Sequence, residues 1–370
     1  MELTIHNQVL TVVFVIAIIM GAVANKTNFC TMGAVSDWVN MGDSGRLRAW
    51  LLAMAVAIVG VAVLTGAGMA SIGNSTFPPY RTPQFAWLRY LLGGLMFGIG
   101  MTLASGCGNK TLVRIGGGNL KALVVFCVLG LASYATLRGL TAVWRVETLD
   151  RAMVELPVGQ DLPSLLQYVT GLSRPLAVAL LGGSFGLALT GWALARPEGR
   201  SADNLLGGLG IGSVIVAAWW LSGVHGHLAE HPLTLEETFL ATNTRSMESF
   251  TFVAPIAYTL DWFILYSDAN KLLTFGIMSV LGVIVGSAVV AVATRSFRWE
   301  GFAGTEDTAN HVVGAVLMGI GGVTAFGCTV GQGLSGLSTL SLGSFIAVAG
   351  IAGGAVAGIR YQAWRLERLL

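Results

Sequence analysis

The chain is poor in charged residues. Only 11% of its 370 residues are Asp, Glu, Lys or Arg, whereas 54% are hydrophobic, and a soluble domain usually carries about a quarter charged residues. So little polar material cannot cover a water-soluble globule of this size. The 21 basic and 19 acidic residues nearly cancel, so we expect no basic patch for a nucleic-acid backbone. The composition excludes a cytosolic enzyme, a disordered protein and a nucleic-acid-binding protein, and it predicts a protein of the lipid bilayer.

Cysteine is also scarce. The four cysteines are too few for a disulfide scaffold, and none forms a C-x-x-C pair. The first residues, MELTIHN, lack the basic start and cleavage site of a secretory signal, so the first apolar run is predicted to be a permanent span. We find no Walker loop, H-E-x-x-H or G-x-S-x-G motif. We therefore expect no bound cofactor and no enzymatic activity.

Long apolar runs predict an all-α membrane protein with about nine membrane-spanning helices. About 20 apolar residues cross the hydrocarbon core of a bilayer, and the unsatisfied backbone polar groups force such segments to be helical. Two shorter interrupted stretches, Asn28–Met41 and Ser249–Tyr266, fit half-helices that dip into the protein. The nine predicted crossings are Gln8–Ala24, Leu47–Ala70, Trp87–Ser105, Leu120–Leu140, Pro175–Ala195, Leu205–Val224, Lys271–Thr294, His311–Phe326 and Leu342–Ile359.

The basic residues predict an orientation. With nine crossings, 13 of the 21 Lys and Arg residues fall on the side of the C-terminus, and the other eight share their side with a long acidic loop. Cytoplasmic loops carry the excess of Lys and Arg. The sequence thus predicts a cytoplasmic C-terminus and an external N-terminus.

Two segments of the chain repeat each other. Gly93–Cys107 and Gly314–Cys328 are identical at seven of 15 positions, and the same offset of 221 carries Asn28-Phe29-Cys30 onto Ser249-Phe250-Thr251. A single linker crossing would invert the second copy, which gives a first repeat over 1–145, an outer loop and linker helix over 146–200, and an inverted repeat over 201–370. Transporters of this kind bind substrate near the midplane, between the repeats. Close helix packing through small residues is the alternative explanation, but it accounts for the glycines and not for the paired Gly-Cys.

Cys107 and Cys328 are the main candidate site residues. Each ends an apolar span just after a glycine, Gly106 or Gly327, and glycine lets the backbone leave the helix and approach a ligand. Irregular backbone at membrane depth is tolerated only where it is buried in protein or lines a cavity. A thiol is soft and a weak donor, so it suits a sulfur-bearing ligand. The alternative is a small packing residue in the core, which is our interpretation of Cys127.

Further candidates lie close to these cysteines. Cys30 begins the first interrupted stretch, where the free N–H groups of a helix start favour an anion, and Thr251 is its counterpart in the second repeat. Lys110, with Arg114, either attracts an anion or simply follows the positive-inside bias. Asn109 and Gln332 are candidate hydrogen-bond donors in the two turns.

Two other features invite a functional interpretation. His225, His227 and His231 form a cluster beside Glu230 and Glu236, but no cysteine or second cluster completes a metal site, so we expect a solvated loop and no metal. Asp261 lies in the second interrupted stretch, where an ionisable group at membrane depth suggests function. It could instead lie at the interface beside Trp262.

The pattern N-F-C, then G-I-G-M-x-L-A-S-G-C, then G-I-G-x-x-x-A-F-G-C resembles the YeeE/YedE sulfur-transport family over nearly the whole chain. The resemblance implies a bacterial inner-membrane protein of two inverted halves, shaped like an hourglass, that imports thiosulfate or a related sulfur compound. It maps Cys107 and Cys328 onto the family's Gly-Cys positions. It also implies a further pathway cysteine at the head of the second interrupted stretch, where this chain has Thr251.

Thr251 leaves the substrate open, because a hydroxyl can bind an anion but offers no soft S–H contact. Sulfite-like, sulfane-sulfur or selenium compounds are therefore alternatives to thiosulfate. A cytoplasmic sulfurtransferase or a regulator is the expected protein partner. The alternative functions are a membrane sensor of sulfur compounds and a thiol-based enzyme that passes sulfane sulfur or electrons between cysteines. Such an enzyme would need a resolving cysteine within reach.

Overall fold

The protein is built from helices, as predicted. The computed structural model describes residues 2–70, 75–231 and 235–368, and it describes side chains from residue 4 onward. The helices of these segments are α1 (Glu2–Lys26), α2 (Thr31–Met41), α3 (Gly45–Gly66), α4 (Trp87–Leu103), α5 (Gly108–Gly116), α6 (Leu120–Arg138), α7 (Leu140–Thr148), α8 (Leu162–Thr170), α9 (Arg174–Leu194), α10 (Ala202–Trp220), α11 (Val253–Ile264), α12 (Phe275–Ala293), α13 (Thr305–Thr324) and α14 (Leu342–Glu367).

Short elements join these helices. The π turn Leu221–His225 follows α10, and the π turn Gly331–Gly336 precedes α14. Two 3-10 turns cover Leu149–Ala152 and Pro197–Arg200. Strands β1 (Gln84–Phe85) and β2 (Val154–Glu155) form one antiparallel pair. Strands β3 (His227–Leu228) and β4 (Thr238–Phe239) form another.

Eight helical stretches of the described chain are long and apolar enough to cross a membrane. They contain α1, α3, α4, α6, α9, α10, α12 and α14. The ninth predicted crossing falls in α13, whose 20 residues rise about 30 Å, the thickness of the hydrocarbon core. Glu306 and Asp307 in its first turn make α13 more polar than the eight. The protein is thus a multi-pass membrane protein, and a crossing by α13 stays a prediction.

Several predicted boundaries were wrong. Helix α12 begins at Phe275, because Lys271 lies outside it in an ion pair with Asp261. The predicted loop after α6 contains α7 and α8, which are too short to stand out as apolar runs. Helix α8 starts where Asp161 accepts a hydrogen bond from the backbone N–H of Ser164 at 3.2 Å, with a proline in its first turn, a combination typical of a helix start.

The connecting segments contact one another in two groups, as alternating crossings require. At one end, ion pairs join the start of α3 to the 3-10 turn after α9, the start of α6 to the segment before α13 and to the first turn of α13, and the end of α14 to that same turn (Arg48–Glu198, Lys121–Glu300, Lys121–Asp307 and Arg365–Glu306). At the other end, backbone contacts join the segments after α3, α6, α10 and the second π turn (Gln84–Glu155, Thr76–Met247 and Asp161–Ser341). The predicted orientation of these ends relative to the cytoplasm rests on charge alone.

Helices α4 and α13 cross antiparallel through glycines. A Cβ atom at Gly93 would lie 2.7 Å from the carbonyl oxygen of Gly321, and one at Gly100 would lie 2.6 Å from that of Gly314. The offset of 221 relates Gly93 to Gly314 and Gly100 to Gly321, so each contact is the counterpart of the other. The sequence repeat is therefore matched by reciprocal contacts between its two copies.

Other helices pack in the same reciprocal way. Helix α1 packs on α12 while α3 packs on α10, and α4 packs on α14 while α13 packs on α6. In order along the two halves, α1 corresponds to α10, α3 to α12, α4 to α13 and α6 to α14. With this match, the second pairing of each couple is the counterpart of the first. The residues that follow the breaks after α4 and α13, Gly106–Cys107 and Gly327–Cys328, are buried.

We predict that a side chain at either central glycine destabilises the protein. Gly100→Val and Gly314→Val would force methyl groups into backbone at 2.6–2.7 Å, and overpacking of this kind typically costs about 1–3 kcal/mol. Thermal unfolding in detergent measures the loss. Gly183→Val in α9 is the matched control, since no atom lies within 4 Å of its added Cβ. Equal melting temperatures for all three variants would contradict the close crossing.

Candidate functional site

The two Gly-Cys turns have the same backbone. Ser105 and Phe326 occupy the left-handed region at φ 57° and 59°, and the following Gly106 and Gly327 have φ 158° and 159°. Non-glycine residues rarely adopt the left-handed region, so its occurrence at two positions separated by 221 is informative. Each turn ends one helix and places a cysteine at the start of the next helical segment.

All three predicted site cysteines begin a helical segment. The Cys30 sulfur accepts a hydrogen bond from the backbone N–H of Gly33 at 3.3 Å, and the Cys328 sulfur accepts one from Gly331 at 3.4 Å. Cys107 begins α5 without such a cap. Its sulfur lies beside the backbone of Lys110 and the hydroxyl of Thr329. The Cys107 thiol is thus held between the start of α5 and the second turn.

The three thiols come together inside the protein. Cys107 is close enough to Cys30 and Cys328 to interact with both electrostatically. Exposed fractions of 9%, 3% and 0% for Cys30, Cys107 and Cys328 place the group in the interior. Cys127, by contrast, is exposed on α6, so the expectation that it packs in the core was wrong.

Thr251 joins the same group from the second half. It lies just before α11 and packs on Gly331, so closely that a Cβ added to that glycine would lie 2.4 Å from the Thr251 Oγ1 atom. Gly331 is also the residue whose N–H is bonded to the Cys328 sulfur. Thr251 is therefore the neighbour of the Cys328 turn, although its sequence counterpart is Cys30.

Lys110 lies between two of the thiols. Its ammonium donates to the Asn28 Oδ1 atom and interacts with Cys30 and Cys107. Arg114 donates to the carbonyl of Ser105 at 3.2 Å, which supports the first turn. The positive charge of Lys110 is thus held next to the thiol group.

Asn109 and Gln332 differ in what their amides do. Gln332 is committed to the fold, because its Nε2 donates to the carbonyl of Ala325 at 2.8 Å and its Oε1 accepts from Ser344 at 2.6 Å. Asn109 is 2% exposed, and its Oδ1 atom has no hydrogen-bond partner within the described part of the chain. Of the two, Asn109 alone keeps a polar atom free.

Tyr80 belongs to the site and was missed. Its hydroxyl donates to the carbonyl of Gly331 at 2.6 Å, and its ring packs edge-on against Trp219 at 6.2 Å. The sequence around it, Phe77-Pro78-Pro79, signals only a loop. Nothing in that signal indicates contact with a residue 251 positions away.

Comparison with known proteins identifies the family. A sequence model of the sulphur transport family matches residues 26–357. The chain belongs to this family. It is 28% identical over 320 residues to the thiosulfate transporter TsuA of Escherichia coli (strain K12), a match that covers 85% of this chain and 84% of that protein. It is 23% identical over 348 residues to the thiosulfate transporter TsuA of Spirochaeta thermophila, which covers 90% and 92%.

In this sulphur transport family member, two histidines of the predicted cluster contact different residues. His225 pairs with Gln8 at 3.2 Å and His227 with Glu237 at 2.8 Å. Over residues 2–70, 75–231 and 235–368, no three His, Cys, Asp or Glu side chains come together as a metal site would require. Asp261 pairs with Lys271 at 2.5 Å, beside Trp262, so its contacts fit the interfacial alternative.

Glu248 is a buried carboxyl that sequence reasoning also passed over. It is 7% exposed and accepts hydrogen bonds from the backbone N–H of Asn243 at 3.1 Å and the hydroxyl of Thr244 at 3.4 Å. Burial raises the pKa of Glu248 to about 7, because removal from water disfavours the charged form more than these hydrogen bonds favour it. The folded protein therefore prefers the protonated acid.

We predict that Glu248 makes stability fall as pH rises. The folded pKa lies above the ordinary value of 4.5, so the unfolded chain binds fewer protons between the two values and the free energy of unfolding decreases from about pH 4.5 to pH 7, by an amount on the order of 3 kcal/mol. Glu248→Gln should flatten this dependence in melting curves taken from pH 5 to 8. Exposed Glu230→Gln is the control, and a variant curve parallel to the wild type would refute the assignment.

We predict that Tyr80→Phe destabilises the second turn. The change leaves the buried Gly331 carbonyl without its 2.6 Å donor, and an unsatisfied buried group costs about 1–3 kcal/mol. Thermal unfolding in detergent checks this, with Tyr168→Phe, whose ring is 62% exposed, as the control. An unchanged melting temperature for Tyr80→Phe would mean that the bond contributes nothing.

Proposed function

We propose that this protein transports thiosulfate or a closely related sulfur-containing anion through a central pathway lined by Cys30, Cys107 and Cys328. The observation that carries the proposal is the meeting of three buried thiols at the starts of three helical segments. Both compared relatives are named thiosulfate transporters and are matched over most of their length. These findings support a transported sulfur anion as the ligand of the thiol group.

The pathway runs between two inverted halves. The reciprocal glycine contacts of α4 and α13 and the matching Gly-Cys turns support this relation. We infer halves over 1–145 and 201–370, joined by an outer loop and linker helix over 146–200. Transporters with inverted repeats bind substrate near the midplane, where broken helices meet, and the buried interruptions after α4 and α13 fit such a site.

The thiol group suits an ion with a soft sulfur end. Backbone N–H groups at helix starts favour an anion, and Lys110 adds a positive charge close to Cys30 and Cys107. A thiol donates a weak S–H hydrogen bond to a polarisable terminal sulfur. The ion passes from one thiol to the next by such contacts, with no covalent bond formed. Cys107, which interacts with both Cys30 and Cys328, is the central contact.

Gly106, Gly327 and Thr251 complete the lining. The two glycines turn the backbone so that the cysteines face the break, and Thr251 offers a hydroxyl beside Gly331. Asn109 contributes its unpaired Oδ1 atom as an acceptor. Gln332 holds the second turn in place through Ala325 and Ser344 and contacts no substrate.

Transport runs inward across a bacterial cytoplasmic membrane. The excess of Lys and Arg on the side of the C-terminus supports a cytoplasmic C-terminus and an external N-terminus. Cys328 and Thr251 then belong to the outer half of the pathway, and Cys30 and Lys110 to the inner half. A cytoplasmic sulfurtransferase is the class of protein that would receive the imported sulfur.

We predict that the sulfur atom, and not the helix cap, is required. Serine keeps a capping acceptor at a helix start, so Cys107→Ser and Cys328→Ser should fold, whereas each should lower uptake of radiolabelled thiosulfate at least tenfold. Uptake is measured in a bacterial strain that lacks other thiosulfate and sulfate importers.

Cys127→Ala, at an exposed position on α6, is the matched control and should transport like the wild type. The expression level and the elution profile of each variant in detergent separate a folding defect from a transport defect. Wild-type uptake by both serine variants would refute a role for the thiols.

A further inference from the structure

A second concave site lies next to the Gly327 turn. A cavity of about 160 Å³ is bounded by Thr251 and Gly327 and by two arginines, Arg89 and Arg145. These arginines are the charged residues among its described lining. The cavity therefore places a basic wall beside the residue that immediately precedes Cys328.

Arg89 is fixed to the turn itself. Its Nε donates to the carbonyl of Thr324 at 3.2 Å, and its guanidinium lies 3.8 Å from the centroid of the Phe326 ring. The residue is only 4% exposed. Because a guanidinium stacked on an aromatic ring and hydrogen-bonded to backbone cannot move freely, Arg89 is a rigid part of the cavity.

One carboxylate serves both arginines. Asp150 lies 2.8 Å from Arg89 through Oδ1 and Nη1, and 3.4 Å from Arg145 through Oδ2 and Nη1. The Nε of Arg145 is buried and has no hydrogen-bond partner within the described chain. Two guanidiniums share a single negative charge, and the Arg145 contact is long for a hydrogen bond. The cluster thus keeps both a positive charge and a donor to offer to an anion.

Asp150 is the most exposed member of the cluster, although its Oδ1 atom is buried against Arg89. It lies in the short 3-10 turn Leu149–Ala152 and its side chain is 16% exposed, against 5% for Arg89. A carboxylate at the surface regains water when it swings out, whereas a charge inside the protein must be compensated. An incoming anion can therefore take its place against the two arginines.

We propose that Arg89 and Arg145 form an outer recognition site for a sulfur oxyanion with two negative charges, and that Asp150 occupies this site until the anion displaces it. The inference rests on the proposed function and adds a selection step before the thiols. Guanidinium groups bind tetrahedral oxyanions through several charge-assisted hydrogen bonds. An ion held here by its oxygens keeps its sulfur end free for Cys328, which follows Gly327.

The test compares substitutions at Arg145, Asp150 and Arg151. Arg145→Gln removes the partly engaged donor and should raise the half-saturating thiosulfate concentration for uptake about tenfold, as expected for one charge-assisted hydrogen bond. Asp150→Asn removes the internal competitor and should lower that concentration at least threefold. Arg151→Gln, at an exposed position beside Asp150, should leave it unchanged. Arg145→Lys keeps the charge and should give an intermediate value.

A second measurement separates this site from transport. Calorimetric titration of the purified full chain with sodium thiosulfate, and separately with sodium sulfate, should show weaker binding in Arg145→Gln and tighter binding in Asp150→Asn. A purely structural role would lower the melting temperature or maximal uptake without shifting the half-saturating concentration.

The outcomes distinguish the two proposals. Wild-type half-saturation and wild-type binding in both Arg145 variants would overturn the recognition site while leaving thiosulfate transport intact. If Arg145→Gln does not fold, the half-saturating concentration and anion binding of Arg145→Lys decide whether the recognition site exists. If the wild type takes up no thiosulfate, the proposed function fails, and the titrations alone decide whether the arginines bind the anion. Absence of binding of both anions to the wild type would also overturn the site.

Discussion

A helix that stops inside a membrane leaves backbone N–H and C=O groups without intrahelical partners, and lipid offers none. The interruptions after α4 and α13 are buried in the protein, which supplies hydrogen-bond partners from within. In the second turn, Gln332 donates to the Ala325 carbonyl, Tyr80 donates to the Gly331 carbonyl, and the Cys328 sulfur accepts from the Gly331 N–H. The cysteine is therefore part of the hydrogen bonding that lets the helix break, besides being a candidate contact for substrate.

The same constraint explains the glycines around the centre. The two broken helices can carry their turns to the middle only if their intact portions approach closely, and Gly93, Gly100, Gly314 and Gly321 allow backbone contact between α4 and α13. Without an aqueous hydrophobic effect between helices, such close packing is a main source of association in a bilayer. The glycine crossing thus holds the two halves together and sets the positions of the thiols.

The apolar runs predicted the helices well because the bilayer imposes a length and a composition on every crossing. The repeat offset also predicted that Cys107 and Cys328 lie in equivalent turns, and the two turns have nearly the same backbone angles although Ser105 stands where the second repeat has Phe326. Tyr80 and the Arg89–Asp150–Arg145 cluster were not predictable in this way. Their contacts join segments far apart in the chain, as between Tyr80 and Gly331 or Arg89 and Asp150, and helix α7, which carries Arg145, has only nine residues. Thr251 follows the offset as well, because it packs on Gly331 and the counterpart of Gly331 is Lys110, the neighbour of Cys30.

The distribution of charge around the thiols bears on how an anion could pass without being trapped. Arg46 is paired with Asp37 and Arg89 with Asp150, so these basic residues near the two ends of the proposed pathway are partly neutralised. Lys110, next to Cys30 and Cys107, contacts the neutral amide of Asn28. A buried cation with no polar partner would bind a dianion tightly and release it slowly, whereas an acidic partner at the centre would repel the dianion. Weak thiol donors combined with partly compensated cations give contacts that are each modest, and an ion that moves between modest contacts meets no single deep well.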